Sequence, residues 1–318
     1  MISFALATRD DDAGIRRLLA TNPMPGRIRV RFEREPSYFD GCAPRTDVLV
    51  ARDGASVVGV ACRTMQQLYV NGEVEEVGYL GQLRVDLAYR GRLLTARGYR
   101  VMRELHEQSP ARGYYTTIVD GNAQAEGVLV RRTRGMMPCY RFLERLHTLA
   151  IPVERRASAR RGTRRAEARR STQNLFPARE PHGEVVTIDG GSAALFDQRP
   201  YKQTVIDGYD RTLSLVRPLY NLVARMKLPR PNVPLNHAYV THFSAEDPHA
   251  LIEAILARAT GYDHVLVGFT ESDPALQIAR RFKPVEYVSS IYTVAFDDGD
   301  DFHERLLARP RAVDISAL

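Results

Sequence analysis

The alternation of apolar and polar positions predicts a run of strands in the first half of the chain. Strands are expected at 48–52, 57–70 and 73–85. The turns between them are Asp53-Gly54 and Asn71-Gly72, and the second is a strong short-range signal for a β-hairpin. These three segments therefore predict an antiparallel meander.

A helix is expected directly after the third strand. The two are joined by the basic turn Arg90-Gly91-Arg92. A strand, a glycine-containing basic turn and a helix start offer backbone N–H groups and a positive dipole end to a phosphate. The helix has a 3.6-residue period, with one apolar face formed by Leu94, Val101, Met102 and Leu105.

The remaining elements alternate between strand and helix patterns. A strand is expected at 114–119, a short helix at 123–132 and a further strand at 140–151, although 141–146 is also compatible with a helix. The second half predicts strand, helix, strand, helix, strand at 238–243, 248–259, 265–269, 273–282 and 285–296.

The segment from Tyr79 to Leu105 resembles motif A of the GNAT superfamily of acyl-CoA-dependent N-acyltransferases. The resemblance covers roughly residues 1–150, with the elements in the family's order. It implies an α/β (α+β) fold with a mixed, mostly antiparallel twisted sheet flanked by helices. It also implies acetyl-CoA, or another acyl-CoA, as co-substrate.

The same resemblance implies a set of cofactor-binding residues. The strand segment Leu83, Arg84 and Val85 would hold the pantetheine arm, and Asn122 and Tyr140 would line its acetyl and thiol end. The turn would hold the pyrophosphate, through Arg90, Gly91, Arg92, Leu93, Leu94 and Thr95. The chain departs from the family pattern at Leu93 and Thr95, because the pattern has glycines there that let the backbone approach the phosphates.

Acyl transfer to an amine needs a deprotonated amine, a donor to the oxyanion and a proton for the departing thiolate. By resemblance, a backbone N–H near Leu83 to Val85 is the oxyanion donor and Tyr140 is the acid. Glu76 is the candidate base, although a solvated strand carboxylate explains it equally well. Tyr79 occupies the place nearest the family's usual Glu, and a terminal carboxylate at Leu318 is another candidate if the tail folds back.

Composition is that of a soluble globular protein, with 318 residues, 44% apolar and 26% charged. No apolar run is long enough for a transmembrane helix, and the first residues do not resemble a signal peptide. The cysteines, Cys42, Cys62 and Cys139, are scattered and fit a reducing compartment. We therefore expect a cytoplasmic protein, and the absence of ligand spacings among the histidines predicts no metal.

The net charge of +7 is concentrated in one segment. Residues 155–170 contain eight Arg and one Glu, so the remainder of the chain is balanced. A solvated linker is the favoured interpretation. A surface for RNA, DNA or anionic lipid ranks second, because no aromatic residue is interleaved for base stacking. An Arg clamp on cofactor phosphates or an acidic substrate ranks third.

Two domains are expected around this segment. Residues 1–151 would form the GNAT-like acyl-CoA-binding domain, 152–183 the Arg-rich linker, and 184–318 a degenerate GNAT-like domain. The corresponding turn of the second copy, 244–248, has no Gly or Arg and carries two carboxylates, so it should not bind a pyrophosphate. The amphipathic helix at 209–226, bent at Pro218, is expected to fill the core.

Two functions from different classes remain open at this point. The first is an N-acyltransferase that uses a small-molecule or peptide amine as acceptor. The second is a non-catalytic binding or regulatory protein on a GNAT scaffold, with the Arg-rich segment as its partner surface. The altered glycines favour the second, whereas Arg90, Gly91, Arg92, Asn122 and Tyr140 favour the first.

Overall fold

Strands dominate the computed structural model, which describes residues 1–24, 27–91, 94–109, 111–130, 137–153, 171–223, 228–297 and 299–318. The strands of this described part are β1 (Ile2–Leu6), β2 (Ile28–Glu33), β3 (Thr46–Asp53), β4 (Ser56–Val70), β5 (Glu73–Val85), β6 (Tyr114–Val119), β7 (Cys139–Pro152), β8 (Glu184–Ile188), β9 (Gly191–Phe196), β10 (Gln203–Tyr209), β11 (His237–Ala245), β12 (His264–Thr270) and β13 (Val285–Ala295). The helices are α1 (Asp12–Thr21), α2 (Leu94–Gln108), α3 (Ala123–Leu129), α4 (Arg211–Val223), α5 (Pro248–Arg258), α6 (Ala275–Arg280) and α7 (Phe302–Leu307).

Eleven of the strands form one sheet in the order β1-β3-β4-β5-β6-β13-β7-β12-β11-β9-β8. Neighbouring strands are antiparallel except for two parallel pairs, β5 with β6 and β11 with β12. The strands β2 and β10 form a separate antiparallel ribbon. The expected mixed, mostly antiparallel sheet flanked by helices is therefore confirmed.

The two halves of the chain exchange strands at the centre of this sheet. β13 lies between β6 and β7, pairing Ser289 with Val119 on one side and Val294 with Tyr140 on the other. β7 in turn pairs with β12 of the second half. The order β3-β4-β5-β6-β13 thus repeats as β8-β9-β11-β12-β7, with the same alternation of parallel and antiparallel neighbours.

Helices cover both faces of the first half of the sheet. On one face, α2 and α3 contribute Tyr99, Met102 and Leu129 to a cluster with Leu80 and Tyr140. On the other face, α1 packs onto the sheet in a cluster that contains Ile15, Leu18, Tyr38, Val60 and Cys62. β4 and β5 therefore lie between two apolar layers, and side chains that alternate along them enter different layers.

The strand and helix pattern of the sequence is largely confirmed. β5 spans Glu73–Val85 and β6 spans Tyr114–Val119, as expected. The ambiguous segment after residue 139 is a strand, because β7 pairs along its length with β13 and β12. In the second half Asp247 caps α5 through a hydrogen bond from the Ala250 N–H to its Oδ1, 3.1 Å.

The expectation that the Pro218 helix fills the core is wrong. No described side chain of α4 is buried, and Val216 is exposed. Leu215, Leu219 and Leu222 are 80%, 69% and 80% exposed. The helix is amphipathic, but these apolar side chains are exposed, so the helical period alone did not identify what the helix packs against.

The expected division into two domains cuts through one sheet, since strands from 1–151 and 184–318 alternate at its centre. The assignment of two domains stays a prediction. Most of the Arg-rich segment, residues 154–170, lies outside the described residues. Within the described ranges, no helix is long and apolar enough to cross a membrane.

Gly78 lies where β5 first meets β6. A Cβ at this position would lie 2.3 Å from Cδ1 of Tyr114, whose side chain is buried and shares a 3.0 Å hydrogen bond with Nδ1 of His106. We expect Gly78→Ala to lower the free energy of unfolding by about 1–3 kcal/mol, because the ring has no room to move. Chemical denaturation measures this change.

The matched control is Gly127→Ala in α3, where no atom lies within 4 Å of the added Cβ. It should leave stability unchanged or raise it by up to about 1 kcal/mol, since Ala favours a helix over Gly. Equal effects of the two substitutions would show that the strand junction is not tightly packed.

Candidate functional site

β5 and β6 form a parallel pair over only two positions. Gly78 pairs with Tyr114 and Tyr79 pairs with Tyr115, after which the ladder ends. Beyond this point the backbone of β5 is still linked to β6 by a 2.6 Å hydrogen bond from Oγ1 of Thr116 to the carbonyl of Leu80. Beyond it the two strands diverge, and a cavity of about 180 Å³ lies in the gap between them.

A β-bulge shapes the wall of this cavity. Cross-strand partners change from Cys62 with Gly81 to Val60 with Arg84, so Gln82 and Leu83 together oppose Ala61. Gln82 has a φ of 55°, which is uncommon for a residue with a side chain. Its Oε1 accepts a 2.9 Å hydrogen bond from the hydroxyl of Tyr38, which fixes the bulge to the α1 face.

The bulge places successive side chains on different faces of the sheet. Leu83 packs on the cluster formed by α2, and Val85 packs beside Leu94 at the start of α2. Arg84 lies directly opposite Val60, which belongs to the α1 cluster. Because directly paired residues share a face, the Arg84 side chain lies on the α1 face. The cavity is lined from both faces.

A pair of buried phenols lines the α2 side. The hydroxyls of Tyr99 and Tyr140 share a hydrogen bond, and their rings pack edge to face with centroids 6.4 Å apart. Burial raises the pKa of Tyr140 well above its usual value and raises the pKa of Tyr99 to about 12. Both phenols therefore keep their protons at neutral pH.

Tyr79 lines the cavity where the strands begin to separate. Its hydroxyl shares a 3.0 Å hydrogen bond with Oγ1 of Thr117 on β6. Burial raises the pKa of Tyr79 to about 12, so this phenol is also a donor rather than a base at neutral pH.

The basic turn is only partly described, because Arg92 and Leu93 lie outside the described residues. Arg90 is tied to three elements: Nε donates to the Val85 carbonyl, Nη1 to Oε1 of Gln124 and Nη2 to Oδ1 of Asn22, at 3.1–3.3 Å. Gly91 has a φ of 83°, a conformation that favours glycine. Leu94 is buried, and Thr95 lines the cavity at the start of α2.

Asn122 also lines the cavity, at the start of α3. Its Oδ1 accepts a 3.1 Å hydrogen bond from the Ala125 N–H and thereby caps this helix. The structure thus brings together, around one cavity, most of the residues implied by the resemblance: Tyr79, Leu83, Arg84, Val85, Leu94, Thr95, Asn122 and Tyr140.

The two carboxylates considered as the general base, Glu76 and the chain end at Leu318, lie outside the cavity. Glu76 forms an ion pair with Arg45 and accepts a hydrogen bond from Nε2 of Gln67, and it does not line the cavity. Leu318 folds back as its hypothesis required. Its carbonyl accepts a 2.6 Å hydrogen bond from Nζ of the buried Lys202, but this residue does not line the cavity either.

Sequence reasoning missed several lining residues. Tyr99 lies three residues before Met102, so the helical period that selected Met102 could have found it. Thr116 and Thr117 carried no signal beyond their strand, and Gln82 needed the bulge, which the sequence does not show. Among the described residues, no group of three or more His, Cys, Asp or Glu side chains could hold a metal ion.

Comparisons with known proteins identify the fold. No protein-family model matches the chain, and no curated protein matches it. N-myristoyltransferase of Saccharomyces cerevisiae, solved with bound myristoyl-CoA, superposes with a TM-score of 0.54 at 11% identity, over 92% of this chain and 79% of that one. A GCN5-related N-acetyltransferase from Anabaena variabilis superposes with a TM-score of 0.50 at 8% identity, over 93% of this chain and 73% of that one. The chain therefore has the GNAT fold, as its resemblance implied.

The three cysteines differ in burial, and their reactivity should follow it. Burial raises the pKa of Cys62 to about 12 and also raises that of the partly buried Cys42, whereas Cys139 is exposed. At pH 8 a thiol reagent should modify Cys139 first, Cys42 more slowly, and Cys62 only after denaturation, because only the thiolate reacts. Mass spectrometry of the labelled peptides measures the order. Rapid labelling of Cys62 would show that the cavity wall is open.

Proposed function

We propose that this protein is an N-acyltransferase, which moves an acyl group from acyl-CoA to the amine of an acceptor. The observation that carries the proposal is the cavity between the diverging strands β5 and β6, with a bulge on one wall and a protonated phenol, Tyr140, on the other. The two superposed proteins are an N-myristoyltransferase and an N-acetyltransferase, which supports the same class of reaction.

The proposed cofactor path follows the α2 face. The pantetheine arm would lie along Leu83 and Val85, since these side chains lie on that face beside the start of α2. The pyrophosphate would lie at the turn from Arg90 to Thr95, near the N-terminus of α2, where the helix dipole favours anions. Asn122 and Tyr140 would then line the thioester end.

The proposed chemistry uses the bulge and the phenol. The neutral amine attacks the thioester carbon, and the oxyanion is stabilised by a backbone N–H of the bulge, where the extra residue leaves the ladder. The C–S bond then breaks, and the thiolate receives a proton from Tyr140. The nitrogen loses one proton to become the amide, and that proton passes through water to the phenolate of Tyr140, which restores the neutral phenol. Glu76 is a poor base for this reaction because its carboxylate is held by Arg45, away from the cavity.

Binding of acyl-CoA is the first requirement of this proposal. Calorimetry should detect acetyl-CoA or a longer acyl-CoA bound to the protein, and Arg90→Ala should weaken that binding by about 10-fold, roughly 1.4 kcal/mol. The reason is that Arg90 ties the turn to β5, α3 and the end of α1. Arg258→Ala, which removes an exposed Arg paired with Glu184, is the control and should bind normally. No binding at millimolar acyl-CoA would overturn the proposal and favour a non-catalytic protein.

Tyr140→Phe tests the acid. It should lower kcat by about 100-fold or more, with little change in the KM for acyl-CoA, because only the proton donor is lost. Release of CoA thiol measures the rate, with an acceptor found by screening amines.

A general acid donates its proton only at a pH below its pKa. The raised pKa of Tyr140 therefore predicts that the rate is not lost through this group as the pH rises to about 10.

The control for this substitution is Tyr209→Phe, whose hydroxyl bonds the Pro229 carbonyl outside the cavity. It should retain wild-type kcat. Full activity of a folded Tyr140→Phe protein would remove Tyr140 from the mechanism while leaving the reaction class in place.

A further inference from the structure

Arg84 is a charged residue in the lining of the cavity. Among the described residues that line it, no other is an Arg, Lys, Asp or Glu. The guanidinium of Arg84 donates a 2.9 Å hydrogen bond from Nη1 to the carbonyl of Leu83. Within the described part of the chain it forms no ion pair with a carboxylate. The cavity therefore has a positive charge that these residues do not neutralise.

The side chain of Arg84 lies on the opposite face of β5 from the apolar side chains proposed to line the pantetheine path, and its charge interacts unfavourably with Arg90 of the basic turn. Its neighbours Leu83 and Val85 face α2, whereas Arg84 lies opposite Val60 on the α1 face. Gln82 is on the same side, held by the hydroxyl of Tyr38. An acceptor that approaches the thioester from the face opposite the pantetheine would therefore meet the guanidinium of Arg84.

A cation in such a place is costly without a partner. The Arg84 side chain is only partly exposed, and burial lowers its pKa, although a guanidinium stays charged in proteins. Removing a charge from water without a counter-charge is unfavourable, and a carboxylate or phosphate can offset this with two parallel hydrogen bonds. An acceptor whose other groups are cationic would instead be repelled.

We propose that the acceptor is an amine that also carries an anionic group, a carboxylate or a phosphate, and that this group pairs with Arg84. The inference rests on the proposed acyl transfer and names the class of its acceptor. It accounts for a cavity that has a cation and no acidic lining residue among those described. The positive charge also favours the neutral form of a nearby amine, which is the form that attacks the thioester.

Matched pairs of acceptors test this selectivity. Amino acids are compared with the amines formed by their decarboxylation, and phosphoethanolamine is compared with ethanolamine, with CoA release as the rate. The anionic member of at least one pair should have a kcat/KM about 10-fold or more above that of its neutral or cationic partner. The pair with the larger ratio distinguishes carboxylate from phosphate.

Arg84→Met should lower kcat/KM for that anionic acceptor by about 30-fold or more, because it leaves the acceptor's charge unpaired. The ratio of kcat/KM for the anionic acceptor to that for its neutral partner should therefore fall towards one in Arg84→Met. Arg84→Lys should restore part of the loss, since it keeps the charge without the planar fork. Arg258→Met removes an exposed Arg of the second half and should behave as wild type.

Failure of the inference about the acceptor can be distinguished from failure of the proposed acyl transfer. Equal rates for both members of every pair, or faster reaction of polyamines, would overturn the inference while acyl transfer stands. A loss of acyl-CoA affinity in Arg84→Met, with acceptor selectivity unchanged, would also overturn it, by assigning Arg84 to a cofactor phosphate. Absence of acyl-CoA binding by the wild type would overturn the proposed function together with the inference.

Discussion

The early end of the ladder between β5 and β6 is the constraint on which the candidate site depends. Two paired positions hold the strands together, and a buried glycine, Gly78, lets them meet against the ring of Tyr114. Beyond Tyr79 the backbone groups of β5 have no β6 partner strand, yet β4 continues to pair with β5 up to Val85. The bulge at Gln82 and Leu83 occurs in this stretch, where β5 is paired with β4 but not with β6. The cavity thus lies where this pairing ends, and the bulged segment forms part of its wall.

The second half of the chain holds the other wall in place. Tyr140 lies on β7, and its position is set by pairing with Val294 of β13, a strand contributed from near the end of the chain. β13 also pairs with β6, so the wall opposite β5 is built from strands of both halves. Through this exchange the second half of the chain contributes the strand that joins β6 to β7.

Burial sets the chemistry that each lining group can perform. It raises the pKa values of Tyr79, Tyr99 and Tyr140, which makes these phenols donors near neutral pH. The same exclusion of water makes the charge of Arg84 significant, since the described residues supply no carboxylate partner for it and charges interact more strongly in a low dielectric. Phenol donors, one cation and the lack of an acidic side chain among the described lining residues are the features that support the proposed thioester and anionic acceptor.

The sequence by itself determined the local elements. The period-two patterns and the Asn71-Gly72 turn specify β4 and β5, and the helical period after Gly91 specifies α2, because these signals act between residues close in the chain. Only the tertiary structure decided that β13 inserts between β6 and β7, that Leu215, Leu219 and Leu222 of α4 stay exposed, and that Arg84 lies on the α1 face. Each of these depends on which distant strand or layer lies alongside. A one-residue bulge shifts the faces of a strand without changing its pattern of residue types, so no local periodicity reveals it.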